Sequence, residues 1–482
     1  MIDFRKNISL GVRWLGIGQF FNYFIQFILY AILARLLSPK DFGALGVAFS
    51  FYNIAFIFGE LGFSPALIQR KELRDIHKTV TFWISFSFGL VFLLVGISLS
   101  SFLASFFKNP LIKPLVILLS FNFFINSLGV VHLSLLKRDL FFKKVSLVEI
   151  FSGIVSLVTT LILVFRGWGI ISLGWGYLLA SFLRVVLLWV NYRFLPTFEI
   201  NREAFLELFC FGRNIFGFRV ISYLSGNIDI FLIAKLLGQK TLGYYSLALS
   251  LVNIPRQKIS FIISQVMFPA LSKIQDNLSE IRNAYYKLIR YASAINFPLM
   301  IGLIFIAPYF VKVIYSSKWE AMVIPLQILC IYGLIFSLST FIGSFLNALG
   351  YPNYSFRIGI FSFLSLILAI GVGCRFGLIG ISVGLVVYSL FVNILANTVL
   401  FRIIRGRFAS YLKEISPAFF GSVVMSLGLF LVININRIFL FPDKVLLVIM
   451  IILGGFFYLF SLFLINKSTL RELFNIFKEM FR

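Results

Sequence analysis

The amino-acid sequence predicts an all-α polytopic membrane protein with fourteen transmembrane helices. The chain has 482 residues, of which 60% are hydrophobic and 13% are charged, and its mean hydropathy is +0.99. Apolar runs of about 20 residues, long enough to cross a hydrocarbon core about 30 Å thick, recur from one end of the chain to the other. Little sequence is left for a soluble domain. An internal repeat, described below, divides the helices into two groups.

The predicted spans follow one another through mostly short connections. In chain order they are 11–34, 42–63, 80–103, 114–134, 145–165, 169–190, 214–236, 241–263, 289–311, 322–345, 355–374, 378–401, 416–434 and 445–465. An even number of spans places both termini on one side of the membrane. The termini and the even-numbered connections carry more than twice as many Lys and Arg residues as the odd-numbered connections. Both termini are therefore predicted to be cytoplasmic.

A repeat with a period of 200 residues indicates two equivalent halves. The stretch ARLLSPKDFGALGVAFS at 34–50 returns as AKLLGQKTLGYYSLALS at 234–250, with seven of seventeen positions identical. Six spans in each half make the halves parallel copies, related by a pseudo-twofold axis along the membrane normal. The predicted segments are an N-terminal lobe at 1–190, a cytoplasmic linker at 191–213, a C-terminal lobe at 214–401, two extra helices within 416–465 and a cytoplasmic tail at 466–482.

Charge and composition also limit the possible partners. The formal net charge is +25, but the basic residues are spread through short loops, so membrane topology explains them better than nucleic-acid binding. The two histidines have no companions at metal-ligand spacing, and we expect no metal site. No nucleotide-binding loop is recognisable, so no cofactor is expected. Energy would then come from an ion gradient or from consumption of the product.

Three stretches carry a resemblance to a known family. ARLLSPKDFGALGVAFSF, FGELGFSPALIQRKE and NIPRQKISFIISQVMFPALSKIQ resemble the signature stretches of the polysaccharide transporter family, the Wzx-type flippases. The resemblance extends over essentially the whole chain. It implies the fold of the multidrug/oligosaccharidyl-lipid/polysaccharide superfamily, with two six-helix lobes around a central cavity and two further helices.

The resemblance also implies a function. Such a flippase moves an undecaprenyl-pyrophosphate-linked oligosaccharide across the cytoplasmic, or inner, membrane by alternating access. The product would feed a surface polysaccharide such as O-antigen, lipopolysaccharide, capsule or exopolysaccharide. The implied partners are this lipid-linked substrate, membrane lipids, and a polysaccharide polymerase with its chain-length machinery. Because none of the motifs is a catalytic fingerprint, we do not expect an enzyme.

A polar stripe on span 1 is the first candidate binding feature. Its members are spaced three or four residues apart, within about 80° of one helix face; they are Gln19, Asn22, Gln26 and Tyr30. The stripe is either a cavity wall that offers amides to sugar hydroxyls or phosphate oxygens, or a helix contact held by hydrogen bonds. The 200-residue shift maps Gln19 onto Arg219, and Asp229 lies at the edge of the equivalent face of span 7.

Cations on spans 7 and 8 are the candidate ligands of the pyrophosphate. They are Arg219, Arg256 and Lys258, and the last two follow Pro255, which can break the helix. Arginine binds such anions through charge-assisted, bidentate hydrogen bonds. The alternative is that these side chains extend to the lipid headgroups.

Other charged residues in the spans have simpler explanations. Arg184 and Glu149 lie at similar depth on adjacent spans and are predicted to neutralise each other. Glu60, near the cytoplasmic end of span 2, is a gating candidate, a partner of a loop cation, or a wetted helix end. Arg35 and Lys235 are equivalent in the repeat, and they either anchor helix ends at the outer interface or hold a closed outer gate.

Two other functional classes stay open. A cation-coupled drug or metabolite antiporter of the MATE type shares the fold, but such antiporters tend to place carboxylates within a lobe. Here the cations in the spans equal or outnumber the carboxylates, which suits an anionic substrate. A polytopic glycosyltransferase or polymerase is less favoured, because the predicted outer loops are too short to present catalytic groups.

Overall fold

Helices dominate the part of the chain that the structure describes. The structure is a computed structural model that describes residues 2–60, 67, 73–198, 226–253 and 277–472. It forms two compact units, which we call the N-terminal unit, Met1–Gly243, and the C-terminal unit, Tyr244–Arg482. Helices pair their backbone N–H and C=O groups within one segment, which a hydrocarbon environment requires.

The N-terminal unit begins with a series of helices separated by short turns. They are α1 Ile2–Leu36, α2 Pro39–Glu60, α3 Asp75–Phe106, α4 Ile112–Ser127, α5 Val130–Arg138, α6 Phe142–Phe165 and α7 Ile171–Asn191. Residues 226–236 and 238–253 are also helical and are called α8 and α9, and residues 244–253 of α9 already belong to the C-terminal unit. Gly238, at the start of α9, has a φ of +81°, which glycine adopts without a steric penalty.

The C-terminal unit continues in the same way. Its described helices are α10 Leu278–Phe310, α11 Val323–Ser339, α12 Ile342–Ala348, α13 Pro352–Gly373, α14 Gly377–Ile404, α15 Phe408–Phe439 and α16 Asp443–Ile465. Helix α10 starts well before the predicted span, because the amphipathic connection in front of that span continues the helix. Asn277 caps it by accepting hydrogen bonds from the backbone N–H groups of Ser279 and Glu280.

The prediction of an all-α polytopic membrane protein is confirmed. Among the described residues, nine helical stretches are long and apolar enough to cross a membrane, or ten if the bent pair α4–α5 is one span. One of the nine, Asn353–Ile404, contains both α13 and α14 with the short turn Cys374–Phe376 between them.

The span predicted at 114–134 is bent rather than straight. Helices α4 and α5 meet at an angle of 48°. Where the helix is interrupted, the Trp189 indole N–H donates to the carbonyl oxygen of Leu128 at 3.0 Å. Gly129 packs against Leu188, whose side chain an added Cβ would approach to 3.0 Å. A break inside a span is tolerated because α7 supplies a donor for the freed carbonyl.

Small residues bring the helices of the N-terminal unit close together. An added Cβ at Gly18 of α1 would come within 2.9 Å of Ser146 on α6, and one at Gly176 of α7 would overlap the Thr160 hydroxyl of α6. Helix α6 therefore packs tightly against both α1 and α7, as small residues allow in membrane helices. Helix α4 packs against α2, α3 and α7.

The two C-terminal helices belong to the C-terminal unit and pack against α10. Arg290 near the start of α10 pairs with Glu414 of α15 at 2.6 Å. Just past the other end of α10, Lys312 pairs with Asp443, the first residue of α16, at 2.7 Å. The Tyr285 hydroxyl of α10 donates to Asn397 of α14 at 2.6 Å, within a buried aromatic core.

Candidate functional site

A polar cavity lies inside the N-terminal unit. Its volume is about 380 Å³. The described residues that line it come from α1, α2, α4 and α7; they are Gln26, Tyr30, Phe49, Tyr52, Asn53, Leu119, Asn122 and Tyr177. None of these side chains carries a formal charge at neutral pH. The lining combines amides and phenols with apolar rings.

The cavity lies about ten residues in from the first residues of α2 and α4. Asn122 is ten residues from the start of α4, which is about 15 Å along the helix axis. This is half of a hydrocarbon core about 30 Å thick. Transporters place their substrate sites near this depth.

Aromatic packing holds the rings of the cavity wall in position. The Phe49 ring lies edge-on to the Tyr177 ring, with centroids 5.4 Å apart and an interplanar angle of 82°. It also contacts the Tyr52 ring, at 6.4 Å and 83°. Tyr52 in turn packs on Phe123 at 6.2 Å. Such edge-to-face contacts are favourable and restrict the rotamers of the tyrosines.

The Asn122 amide is fully engaged by its neighbours. Its nitrogen donates to the Tyr177 carbonyl oxygen at 2.8 Å and to the Ser181 hydroxyl at 2.6 Å. Its side-chain oxygen accepts from the Asn126 amide at 3.1 Å. Asn122 thus ties α4 to α7 and fixes the backbone that carries Tyr177.

The network continues behind the cavity wall to an ion pair. Arg184 donates from Nη1 to the Asn126 side-chain oxygen at 2.9 Å. Its Nη2 and Nε atoms donate to the Glu149 carboxylate at 2.6 and 3.0 Å. The pairing of Arg184 with Glu149, predicted because both lie at similar depth in adjacent spans, is confirmed. The Glu149 carboxylate compensates the charge of Arg184, so the wall behind the cavity carries no net charge from this pair.

The members of the polar stripe of α1 have two different environments, the cavity and a contact with α6. Gln26 lines the cavity, and its amide donates to the Tyr30 hydroxyl at 3.4 Å. Asn22 lies against α6, where an added Cβ at Gly153 would come within 2.7 Å of its side-chain oxygen. Gln19 is half-buried on α1. One face of the helix therefore serves a cavity at one level and a helix contact at another.

The two repeated stretches pack directly against each other. An added Cβ at Gly43 would overlap the carbonyl oxygen of Gln239, and an added Cβ at Gly243 would overlap the carbonyl oxygen of Pro39. Positions 39 and 239 are equivalent under the 200-residue shift, as are 43 and 243. The contact is therefore symmetric, and it brings backbone against backbone, which only glycine permits. We call it the elbow contact.

Side chains surround the elbow contact. The buried Asn109 amide donates to the buried Gln239 side-chain oxygen, and the Gln239 amide donates to the Phe107 carbonyl oxygen at 3.1 Å. The Lys235 ammonium lies 3.5 Å from the centroid of the Phe106 ring, which is a cation–π geometry. The turn after α3 thus reaches the second copy of the repeat.

The other charged candidates lie in different places. Arg35 is exposed in the last turn of α1, and Glu60 ends α2. Asp229 is buried in α8, where its carboxylate accepts from the backbone N–H of Ile230 at 2.9 Å. The predicted pyrophosphate ligands lie outside the described residues; they are Arg219, Arg256 and Lys258.

Most of the cavity lining was not predicted from the sequence. The sequence signal for the other lining residues is a polar side chain within an apolar span; these residues are Tyr52, Asn53, Asn122 and Tyr177. They are uncharged and form no stripe along one helix, because each of the helices α2, α4 and α7 contributes only one or two polar groups.

The described lining of the cavity offers amide and phenol groups. It contains no carboxylate, imidazole or thiol. Across the described ranges, no cluster of three or more His, Cys, Asp or Glu side chains is placed to hold a metal ion. Amides and phenols can orient a bound molecule through hydrogen bonds.

Comparisons with known proteins agree with this architecture. Residues 32–324 match the family described as "Polysaccharide biosynthesis protein". The lipopolysaccharide biosynthesis protein WzxC of Escherichia coli is 28% identical over 409 residues, which cover 84% of this chain and 83% of WzxC. The teichuronic acid biosynthesis protein TuaB of Bacillus subtilis is 28% identical over 469 residues, 96% of each chain.

The fold is also similar to a solved structure. The lipid II flippase MurJ in its inward closed conformation superposes with a TM-score of 0.74 at 19% identity, covering 94% of this chain and 99% of MurJ. At this identity the likeness shows the fold alone, whereas the sequence match covers more than half of the chain. The protein belongs to the polysaccharide biosynthesis protein family and is a multi-pass membrane protein.

Proposed function

We propose that the protein is a flippase for undecaprenyl-pyrophosphate-linked oligosaccharides in surface polysaccharide biosynthesis. The observation that carries the proposal is the polar cavity lined by Tyr52, Asn53 and Tyr177, in a chain of the polysaccharide biosynthesis protein family. A lipid-linked sugar has to cross about 30 Å of hydrocarbon, where its hydroxyl groups lose water. Amides and phenols replace those lost hydrogen bonds.

The proposal includes a membrane topology and an outer gate. Fourteen spans form two parallel six-helix lobes, at 1–190 and 214–401, with both termini in the cytoplasm and the chain in the inner membrane. The elbow contact supports an outer gate that is closed in this conformation, with Gly43 and Gly243 at its centre and Lys235 beside it. Arg35 is the equivalent of Lys235 in the first copy of the repeat.

The pyrophosphate is assigned to the cations predicted on spans 7 and 8. We expect Arg219→Ala and Arg256→Ala each to reduce surface polysaccharide while the protein still inserts, because each loses charge-assisted contacts to the anion. Polymer yield and membrane-fraction immunoblots measure the two quantities. Normal polymer in both variants would remove these residues from the site. The further candidates for the substrate-binding cavity are Lys258, Gln19, Asn22, Gln26 and Asp229, whereas Glu60 is a gating candidate.

A drug antiporter fits the N-terminal unit less well. Coupling to a cation needs a carboxylate that can release and take up the ion, and the described lining of the cavity has none. Glu149, behind the wall, is held by Arg184 at 2.6 Å.

A deletion strain tests the proposed function. Loss of the gene is expected to abolish surface polysaccharide and to leave lipid-linked repeat units in the cytoplasmic leaflet, and the wild-type gene on a plasmid is expected to restore the polymer. Accumulation is measured by extracting the polyprenyl-linked sugars. A strain with unchanged polymer and altered resistance to cationic drugs would instead identify an antiporter.

A further inference from the structure

We infer that the cavity of the N-terminal unit is a recognition subsite for one uncharged, hydroxyl-rich sugar residue of the transported oligosaccharide. The inference rests on the proposed function and deepens it, because it assigns the sugar and the pyrophosphate to different parts of the chain. Asn53, Tyr52 and Gln26 are the residues assigned to the sugar. The assignment follows from the charge, the hydrogen-bonding capacity, the rigidity and the size of the site.

The charge of the wall is the first argument. The described lining residues are uncharged, and the nearby Arg184 is already paired with Glu149 and hydrogen-bonded to Asn126. A phosphate or carboxylate group needs a cation or several donors to offset its loss of water. This wall provides no uncompensated cation, so an anionic group gains little by entering.

The hydrogen-bonding capacity of the wall is the second argument. Phosphate and carboxylate oxygens only accept hydrogen bonds, whereas a sugar hydroxyl both donates and accepts. The exposed Asn53 amide and the half-buried Gln26 amide each bring a donor and an acceptor, and the Tyr52 phenol does both with one group. A ligand with hydroxyl groups satisfies both kinds of partner, whereas an anion satisfies only the donors.

The rigidity of the wall is the third argument. The Asn122 amide uses its hydrogen bonds on Tyr177, Ser181 and Asn126, so it acts as a fixed support. The Tyr52 ring is held between Phe49 and Phe123. A wall that is ordered before the ligand arrives loses less conformational entropy on binding. Asn122 is therefore a positioning residue, while Asn53, Tyr52 and Gln26 contact the sugar.

The size and depth of the cavity are the fourth argument. Its volume of about 380 Å³ is near the lower end of the range of about 300–1,000 Å³ that ligand pockets span. Such a cavity holds a small part of an oligosaccharide rather than the whole repeat unit. The pyrophosphate is then left to other residues, which agrees with the placement of the predicted cations on spans 7 and 8.

Saturation-transfer NMR on the full-length protein in detergent micelles tests this inference. The probes are neutral methyl glycosides of glucose, galactose and N-acetylglucosamine, compared with the methyl glycoside of glucuronic acid. At least one neutral glycoside is expected to receive saturation, the glucuronide much less, and inorganic pyrophosphate is not expected to displace the neutral ligand.

Three variants define the site. Each of the variants Asn53→Ala and Tyr52→Phe is expected to lower the affinity for the neutral glycoside about fivefold to tenfold, since each removes a hydrogen-bonding group from the wall. Tyr52→Phe keeps the ring between Phe49 and Phe123, so a loss of binding there does not come from misfolding. Asn434→Ala, an amide deletion on α15 of the C-terminal unit, is the matched control and is expected to bind like the wild type.

Three results would overturn the inference: no saturation of any neutral glycoside, a preference for the glucuronide, or equal binding by all three variants. Complementation of the deletion strain with the wild-type gene tests the proposed function independently of the binding experiment, so a failure of the subsite can be told from a failure of the flippase proposal. If wild-type protein restores the polymer and the binding result is negative, only the subsite is wrong. If wild-type protein does not restore the polymer, the flippase proposal fails even when neutral glycosides bind.

Discussion

Individual polar residues in the N-terminal unit act through partners on other helices. Asn122, Asn126 and Arg184 form one chain of hydrogen bonds that ends on Glu149. In a low-dielectric interior each member strengthens the next, and the loss of one removes a hydrogen bond from its neighbours. The Arg184–Glu149 pair therefore supports the cavity without lining it.

We expect Glu149→Gln and Arg184→Gln each to lower the thermal stability of the protein. Breaking a fully buried pair costs about 3–5 kcal/mol, and because these side chains are 33% and 26% exposed we expect about 1–2 kcal/mol. Unfolding in detergent, followed by intrinsic fluorescence, measures the change.

The double variant Glu149→Gln/Arg184→Gln separates coupling from two independent effects. It is expected to lose less stability than the sum of the single variants, because neither charge is then left alone. Asp75→Asn, which breaks the exposed Lys78–Asp75 pair, is the control and is expected to change little. Additive losses at 149 and 184 would show that the two side chains do not interact.

At the scale of elements, the elbow contact depends on two glycines. Helices α2 and α9 start so close together that backbone meets backbone at Gly43 and Gly243. The buried Gln239 side chain, which is hydrogen-bonded to Asn109 and to the Phe107 carbonyl oxygen, has to release these partners before the backbones separate. A symmetric backbone junction held by so few side-chain contacts suits the proposed gate.

We expect Gly243→Ala to shift the protein toward the state in which the elbows are apart. The added methyl group overlaps the Pro39 carbonyl, and overpacking of about 1–3 kcal/mol changes a two-state equilibrium by about 5-fold to 150-fold. The reporter is Gln239→Cys, buried in the closed contact, in a background whose three natural cysteines are replaced by alanine. A membrane-impermeant thiol reagent added from outside measures its accessibility.

Gly16→Ala is the control for this experiment. Gly16 lies on α1 with no other atom within 4 Å of an added Cβ, so the same substitution there introduces no overlap. Labelling of Cys at 239 is expected to rise in the Gly243→Ala background only. Equal labelling in both backgrounds would mean that the elbows do not form the outer gate.

At the scale of the whole molecule, the fold is shared with MurJ although only 19% of residues are identical. A bilayer restricts spanning segments to helices of about 20 apolar residues, so helix order is preserved while most side chains change. The specific chemistry then resides in the few polar residues that each chain keeps inside its spans.

The proposed topology predicts where reporters are active. Green fluorescent protein fused after Arg482 is expected to fluoresce, because it folds in the cytoplasm. Alkaline phosphatase inserted in the turn Cys374–Phe376 is expected to be active, because α13 and α14 would cross separately and place this turn outside. Inactive phosphatase at the turn, with its protein present in the membrane fraction, would contradict the fourteen-span arrangement.

The sequence by itself determined the membrane class and the Arg184–Glu149 pair. Hydropathy defines spans because water is absent from the bilayer core, and charges at one depth on adjacent helices have to neutralise each other. The sequence also revealed the 200-residue repeat. It placed Gln26 and Tyr30 of the polar stripe among the candidate cavity residues, but not the residues of α2, α4 and α7 that complete the cavity.

Only the tertiary structure decided which polar residues meet. The cavity takes one or two polar groups from each of four helices, and the periodicity of one helix carries no information on how the others are rotated. The bend at Leu128 depends on a donor from Trp189, 61 positions away in the chain. The elbow contact joins backbone positions 196 and 204 residues apart in the chain. Such long-range contacts follow from how helices pack, and this is why the lining of the cavity and the partners of Gly43 and Gly243 were decided by the fold.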